Sequence, residues 1–111
     1  MSKATWAVQL TETARRDFFQ AVKKSVDKFG SRQGAIYRET LLISLAALKE
    51  GPEVAGSIPH YEILSGLRVL HVARRGRNGR HIIVYRASDK KTIRVLRILH
   101  DAMDIGRHVS A

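Results

Sequence analysis

Four histidines gather late in this chain, His71, His81, His100 and His108, interleaved with arginines and a tyrosine. Cleaving a phosphodiester requires a base, an acid and cations around the scissile phosphate, and many arrangements of them will serve. Arg68, His71, His81, Tyr85, Arg86, Arg94, Arg97 and His100 have side chains suited to that work. Several also have a plainer role. Tyr85 follows the apolar run "IIV" and is expected to pack, with its hydroxyl at a sheet edge. His81 opens its strand, where a backbone carbonyl can hold its ring. Arg94 and Arg97 stand three apart, hence on opposite faces of a strand. One at most can face inward, and there it needs a carboxylate such as Asp17 or Asp104.

Other chemistries find less support. The chain has no cysteine, and its histidines lack the H-x-x-x-H or H-E-x-x-H spacing that sets two ligands on one helix face. Ser44 lies in an apolar helical run, and Ser57, Ser65 and Ser88 sit in loops with no G-x-S-x-G elbow. "GRNG" lacks the strand–loop–helix context of a phosphate-cradling loop. Neither a metal nor a cofactor is expected.

The elements that must position these residues read as follows. "WAVQLT", residues 6–11, alternates as a half-buried strand does. Phe18, Val22, Val26 and Phe29 then recur at helical spacing, and Gly30 ends that helix. Ser31 can cap a second helix with the stripe Tyr37, Leu41, Leu45 and Leu48, which "EGPE" stops at Pro52. Two helices joined this tightly form an antiparallel hairpin. The connection from Gly51 to Gly66 is expected to pack its own Ile58, Tyr61 and Ile63. Three β-rich runs follow: "LRVLHVAR" (67–74), "HIIVYRA" (81–87) and "TIRVLRILH" (92–100). Asn78-Gly79 is the hairpin-turn dipeptide between the first two. Short links make these strands a three-stranded antiparallel meander. The class is α+β, with helices on one face of the sheet. The first strand's place in the sheet is left open by the sequence.

Composition is that of a globular domain spanning 1–111, with 44% apolar residues. No run approaches a signal peptide or a membrane span, so a soluble cytoplasmic protein with no membrane partner is expected. Charge is the unusual feature: 20 Lys+Arg against 10 Asp+Glu, formally +10. It is segregated, with a balance of +2 over residues 1–67 and +8 over 68–111. Such a field attracts nucleic acid or an acidic protein segment. Against a plain nucleic-acid-binding module, no recognition helix or aromatic stacking platform is legible.

The second half, "LRVLHVARRGRNGRHIIVYRASDKKTIRVLRILHDAMDIGRHV", resembles the ParE/RelE superfamily of type II toxin–antitoxin toxins. The wording R-H-φ-φ-φ-Y-R, then φ-φ-R-φ-L-H-x-x-M-D-x-x-R-H-φ (φ apolar), looks like the ParE branch. The first half matches in layout and in "AxxDF", Ala14 to Phe18. The resemblance implies a toxin that poisons DNA gyrase, trapping the cleaved DNA–enzyme intermediate, with DNA in the gyrase complex as a further contact. It also implies neutralisation by a ParD-like acidic antitoxin, folding into an apolar groove between hairpin and sheet.

The RelE branch cleaves messenger RNA in the ribosomal A site, and is the alternative. Where that branch places an arginine in the penultimate strand and basic residues after the last, this chain has Ile82, then His100, Asp101 and Ala102. For a nuclease, Arg86, His100 and His108 would be the catalytic candidates; for a gyrase poison, none. Arg74, Arg75, Arg77 and Arg80 are expected to contact the target. Arg97, His100, Met103 and Asp104 are expected to form a structural and partner-binding cluster, with Met103 filling a gap against the helices and His100 bonded through its ring nitrogens to neighbouring groups, not standing free in a cleft.

Overall fold

The protein is described here by a computed structural model covering residues 5–88 and 90–109. Strand β1 (Ala7–Leu10) leads into helices α1 (Glu12–Phe29) and α2 (Ser31–Ala47), the latter closing in a 3₁₀ turn at Leu48–Glu50. Short strand β2 (Ile58–Pro59) precedes β3 (Leu67–His71), β4 (His81–Ser88) and β5 (Thr92–His100), and a single-turn helix α3 (Ile105–His108) follows.

Helix α1 begins where Thr11 leaves extended geometry and its Oγ1 accepts the Ala14 N–H at 3.1 Å. The same hydroxyl donates to the Leu96 carbonyl at 3.0 Å, so this cap also fastens α1 to β5. Gly30, at φ +94°, both ends α1 and serves as the N-cap of α2. The capping role expected of Ser31 thus falls to Gly30, because the one-residue joint leaves Ser31 already helical. Leu41, Leu45 and Leu48 are buried as their spacing requires, with Tyr37 partly so.

The α1 stripe differs from its expectation. Ala14, Phe18 and Ala21 are buried, whereas Val26 is 36% and Phe29 64% exposed. The C-terminal turns of α1 run past the sheet, and Val26 packs instead on α2. A Cβ on Gly34 would lie 2.2 Å from Val26 Cγ2, so glycine lets the helices close there.

The sheet has order β1-β5-β4-β3-β2. The expected meander is present as antiparallel β3–β4–β5, but β1 joins the β5 edge in parallel, giving a mixed sheet. Leu70, Val72, Ile83, Tyr85, Ile93, Val95 and Ile98 face the helices in one core. Leu67, Val69, Ile82, Val84 and Leu99 form a second core on the far face, covered by Ile63, Leu64, Ile105 and Val109. Both faces are therefore apolar, which is why β4 reads as a continuous hydrophobic run.

Two further expectations are corrected. Arg97 stands opposite Val84 and Val95 opposite Tyr85, so β5 carries an extra residue at Leu96. This bulge breaks the period-2 rule and puts Arg94 and Arg97 on one side of the sheet. In the β3–β4 connection the tight turn lies at Arg75-Gly76, both at positive φ (52° and 80°), closed by Arg77 N–H to Arg74 O at 3.1 Å. Asn78-Gly79 is not the turn. A Cβ on Gly79 would meet Val72 Cγ2 at 2.6 Å and Tyr37 Cε1 at 3.0 Å, so that glycine permits close packing.

In the connection 51–66, Val54 is the residue buried in the main core, and Ile63 is partly buried in the second. Ile58 and Tyr61, expected to pack, are each 56% exposed. Pairing of Ile58 with Val69 holds that segment at the sheet edge. The main core fills most of the space between hairpin and sheet, and the opening between them lies at the end where α1 meets α2.

Candidate functional site

A cleft of about 730 Å³ opens at one end of the molecule, between the α1–α2 joint and the β3–β4 loop. Lys24, Lys28 and Phe29 line it from α1, Ile36 and Tyr37 from α2, Arg75, Arg77 and Arg80 from the loop, and His81 and His100 from the sheet. No acidic side chain stands among the described lining residues.

Cross-strand pairing brings the two histidines together. His81 and His100 are directly opposed in β4 and β5, with ring centroids 5.7 Å apart and edge to face. Tyr37 reaches down from α2, and its hydroxyl bonds closely to His81 Nδ1 while accepting the Arg80 backbone N–H at 3.3 Å. Burial raises the Tyr37 hydroxyl's pKa and lowers that of His81, the latter aided by His100 beside it. His81 is accordingly neutral at pH 7, with Nδ1 accepting from Tyr37 and its proton on Nε2. His100 Nδ1 accepts the Ala102 N–H at 3.1 Å, so a proton on that ring sits on Nε2.

The loop arginines have divided duties. Arg77 donates to Thr40 Oγ1 at 2.9 Å and the Ile36 carbonyl at 3.2 Å, with Glu39 at 3.7 Å, and so ties the loop to α2. Arg80 donates through Nε to both oxygens of Asp101 at 3.1 Å. Asp101 also holds His71 Nε2 at 2.9 Å; the bonds from Arg80 first, then His71, pull its pKa to about 2. Arg74 bonds the Ala55 carbonyl at 3.0 Å and anchors the connection after α2. Arg75, at the turn, is exposed. Of the four arginines expected to meet a target, then, three also serve the fold.

The nuclease candidates do not converge. His100 lines the cleft. Arg86 is in register with Leu67 and Arg94 on the opposite face of the sheet. His108 belongs to α3, whose neighbours Ile105 and Val109 pack on that opposite face.

The expected tail cluster also disperses. Arg97 pairs with Asp17, and its Nη1 donates to the His108 carbonyl at 3.2 Å. Met103 is 42% exposed and fills no gap against the helices. Asp104 caps α3 by accepting the Gly106 N–H at 3.0 Å. His100 is bonded through its ring as expected, Nδ1 accepting the Ala102 N–H, and it also borders the cleft. The physical reason for the dispersal is α3, which turns the chain after β5 onto the far face and away from the helices.

Tyr85 is fully buried, and its hydroxyl lies 2.6 Å from the Pro52 carbonyl and 2.7 Å from Ser57 Oγ. Arg68 donates to that Ser57 Oγ at 2.6 Å and to the Tyr61 hydroxyl at 2.7 Å. Both belong to a network pinning the connection 51–66 and not to the cleft. The cleft residues missed by the sequence reading are Lys24, Lys28, Phe29 and Tyr37. Phe29 and Tyr37 sit on helical stripes, and only packing shows which end of a stripe is left open.

The molecule is thus a mixed five-stranded sheet backed by a helical hairpin, with a basic cleft at its end. The chain belongs to the ParE toxin family of the type II toxin–antitoxin system parDE, whose family model matches residues 8–105. Among solved structures, a chain of the chromosomal ParDE system from P. aeruginosa shares 17% identity at TM-score 0.72, covering 88% of this chain and 98% of that one. A chain of the RelBE2 toxin–antitoxin complex from Mycobacterium tuberculosis shares 24% identity at TM-score 0.54, covering 86% and 98%. No curated protein sequence matches significantly. Among the described residues, no helix is long and apolar enough to cross a membrane.

Proposed function

We propose that this ParE-family toxin poisons DNA gyrase and is held inactive by a ParD-like acidic antitoxin. The observation that carries the reading is the separation of Arg86, His100 and His108, two on one side of the sheet and one on the other. A hydrolytic site requires its acid, base and charge-stabilising groups around one phosphate, and this set does not surround one. A gyrase poison needs only a surface that holds the cleaved complex. The concentrated basic end suits contact with an acidic antitoxin segment, which would cover that surface.

Purified toxin added to a gyrase supercoiling and cleavage assay is expected to block supercoiling and accumulate cleaved DNA. The antitoxin encoded beside it is expected to reverse both effects. A second reading, a RelE-like ribosome-dependent mRNA endoribonuclease, draws on one observation: His81 and His100 share the cleft with three arginines. A parallel translation reaction with primer extension on the message separates the two. Codon-phased cuts with gyrase unaffected would establish the second reading and sink the first.

A further inference from the structure

The cleft is lined by cations and neutral polar groups, with no carboxylate among its described lining residues. The Ala102 N–H and the Tyr37 hydroxyl each occupy an imidazole Nδ1, which leaves Nε2 of His100 and of His81 for a ligand. Arg80 is committed to Asp101, and Arg77 to Thr40 and Glu39. Lys24 and Arg75, by contrast, have no ion-pair partner among the described residues, and Lys28 lies 5.5 Å over the Phe29 ring. A ligand that completes such a surface is rich in acceptors and anionic.

Its second property comes from the wall. Phe29 is 64% and Ile36 42% exposed, and both line the cleft beside Tyr37. An exposed aromatic ring beside cations is a surface on which a nucleic-acid base can stack. The volume of about 730 Å³ is within the range of small-ligand sites. A double helix is too wide to enter, because its phosphates lie on a convex cylinder that meets only the rim.

We infer that this cleft binds the phosphate ester of an unpaired nucleotide, with the phosphate on the His81 and His100 Nε2–H groups and the Lys24 and Arg75 cations, and the base against Phe29 and Tyr37. An acidic peptide supplies carboxylates but no flat ring for Phe29, and is the weaker match. The inference goes beyond the choice of gyrase or ribosome, since either target presents unpaired or broken strands, and it is tested on the isolated toxin.

Fluorescence anisotropy with the full chain would use four probes: a ten-residue single-stranded DNA, the matching RNA, a DNA duplex of equal length, and polyglutamate. At least one single strand is expected to bind ten times more tightly than the duplex and polyglutamate, the DNA and RNA arms identifying the sugar preferred. Phe29→Ala is expected to weaken that binding about tenfold, the scale of one lost base stack. Lys24→Ala and Arg75→Ala are each expected to weaken it and to flatten its dependence on log salt concentration by about 0.7 in slope. All three positions are exposed, so thermal melts of the variants should match the parent. Arg94→Ala, on the far face, serves as the control and should bind as the parent does. The inference is overturned by polyglutamate or duplex binding as tightly as the single strands. It is also overturned by no binding to any strand, or by Arg94→Ala losing as much as Lys24→Ala.

Discussion

Asp17 and Arg97, 80 residues apart, form a two-armed ion pair: Nε reaches Oδ2 at 2.7 Å and Nη2 reaches Oδ1 at 3.0 Å. The same carboxylate accepts the Ile98 backbone N–H at 3.0 Å. Strand β1 pairs β5 only as far as Val95, and Asp17 takes over that edge where β1 stops. One aspartate on α1 therefore satisfies β5 backbone and side chain together.

Asp17→Ala leaves two of the Arg97 guanidinium's bonds and the Ile98 amide without their acceptor. The pair retains some solvent exposure (24% and 15%), which weakens it relative to a fully buried one. The expected loss is about 2 kcal/mol, near 10 °C in Tm for a domain of this size. Arg97→Ala should cost a similar amount, and the double variant clearly less than the sum. A loss under about 0.5 kcal/mol would mean the pair behaves as an ordinary surface bridge.

The turn assignment separates two glycine-containing dipeptides. Gly76→Ala places a Cβ at φ +80° and is expected to cost about 1 kcal/mol. Asn78→Ala should change stability by less than about 0.5 kcal/mol, as surface substitutions away from special geometry do. Urea midpoints of the two variants check this. The reverse order would restore the turn to Asn78-Gly79.

Gly79→Ala drives a methyl group into Val72 and Tyr37. Overpacking of this kind costs about 1–3 kcal/mol. Because Tyr37 is displaced, the ring resonances of His81 should shift in the NMR spectrum, while those of His71 should not.

Arg75 and Arg77 should part company. Arg77→Ala removes the bonds to Thr40 and Ile36 and is expected to cost about 1 kcal/mol. Arg75→Ala breaks no fold contact and should melt with the parent, within about 0.5 kcal/mol. Toxicity lost in Arg75→Ala at full stability would mark a contact surface. A matching stability loss in both would show that Arg75 serves the fold.

Acid should weaken the fold in two steps. The folded-state pKa of His81 lies below its ordinary value of 6.5, so the unfolded chain takes up the proton first. The stability it contributes is fully present above about pH 6.5 and is lost as pH falls through the lower folded value. Asp101 behaves alike further down, its contribution fading between its ordinary 3.8 and about 2. Tm measured against pH should begin to fall below pH 6.5, and His81→Gln should flatten that upper limb. An unchanged limb in the variant would assign it to another group.

Much of this architecture is written in local pattern. Helix α1 and strand β5 have the limits their spacing implies, and Leu41, Leu45 and Leu48 are buried as a 3.6-residue period demands. Those features depend on neighbours within a few residues, and a sequence displays such neighbours directly. The wording from Leu67 to Val109 likewise carried the family, because it spells out three strands and their ending together. What only the tertiary structure decided depends on distant partners. A single extra residue at Leu96 turned Arg97 to the side of Arg94, and no local signal announces a bulge. The edge at which β1 pairs is the side of β5 that β4 leaves unpaired, a fact of the assembled sheet. The exposure of Phe29 and the meeting of Tyr37 with His81, 44 positions on, follow from α1 outrunning the sheet. Periodicity tells which side of a helix is apolar, but not how far along the helix its covering extends. That length is set by the sheet, and it is what opens the cleft.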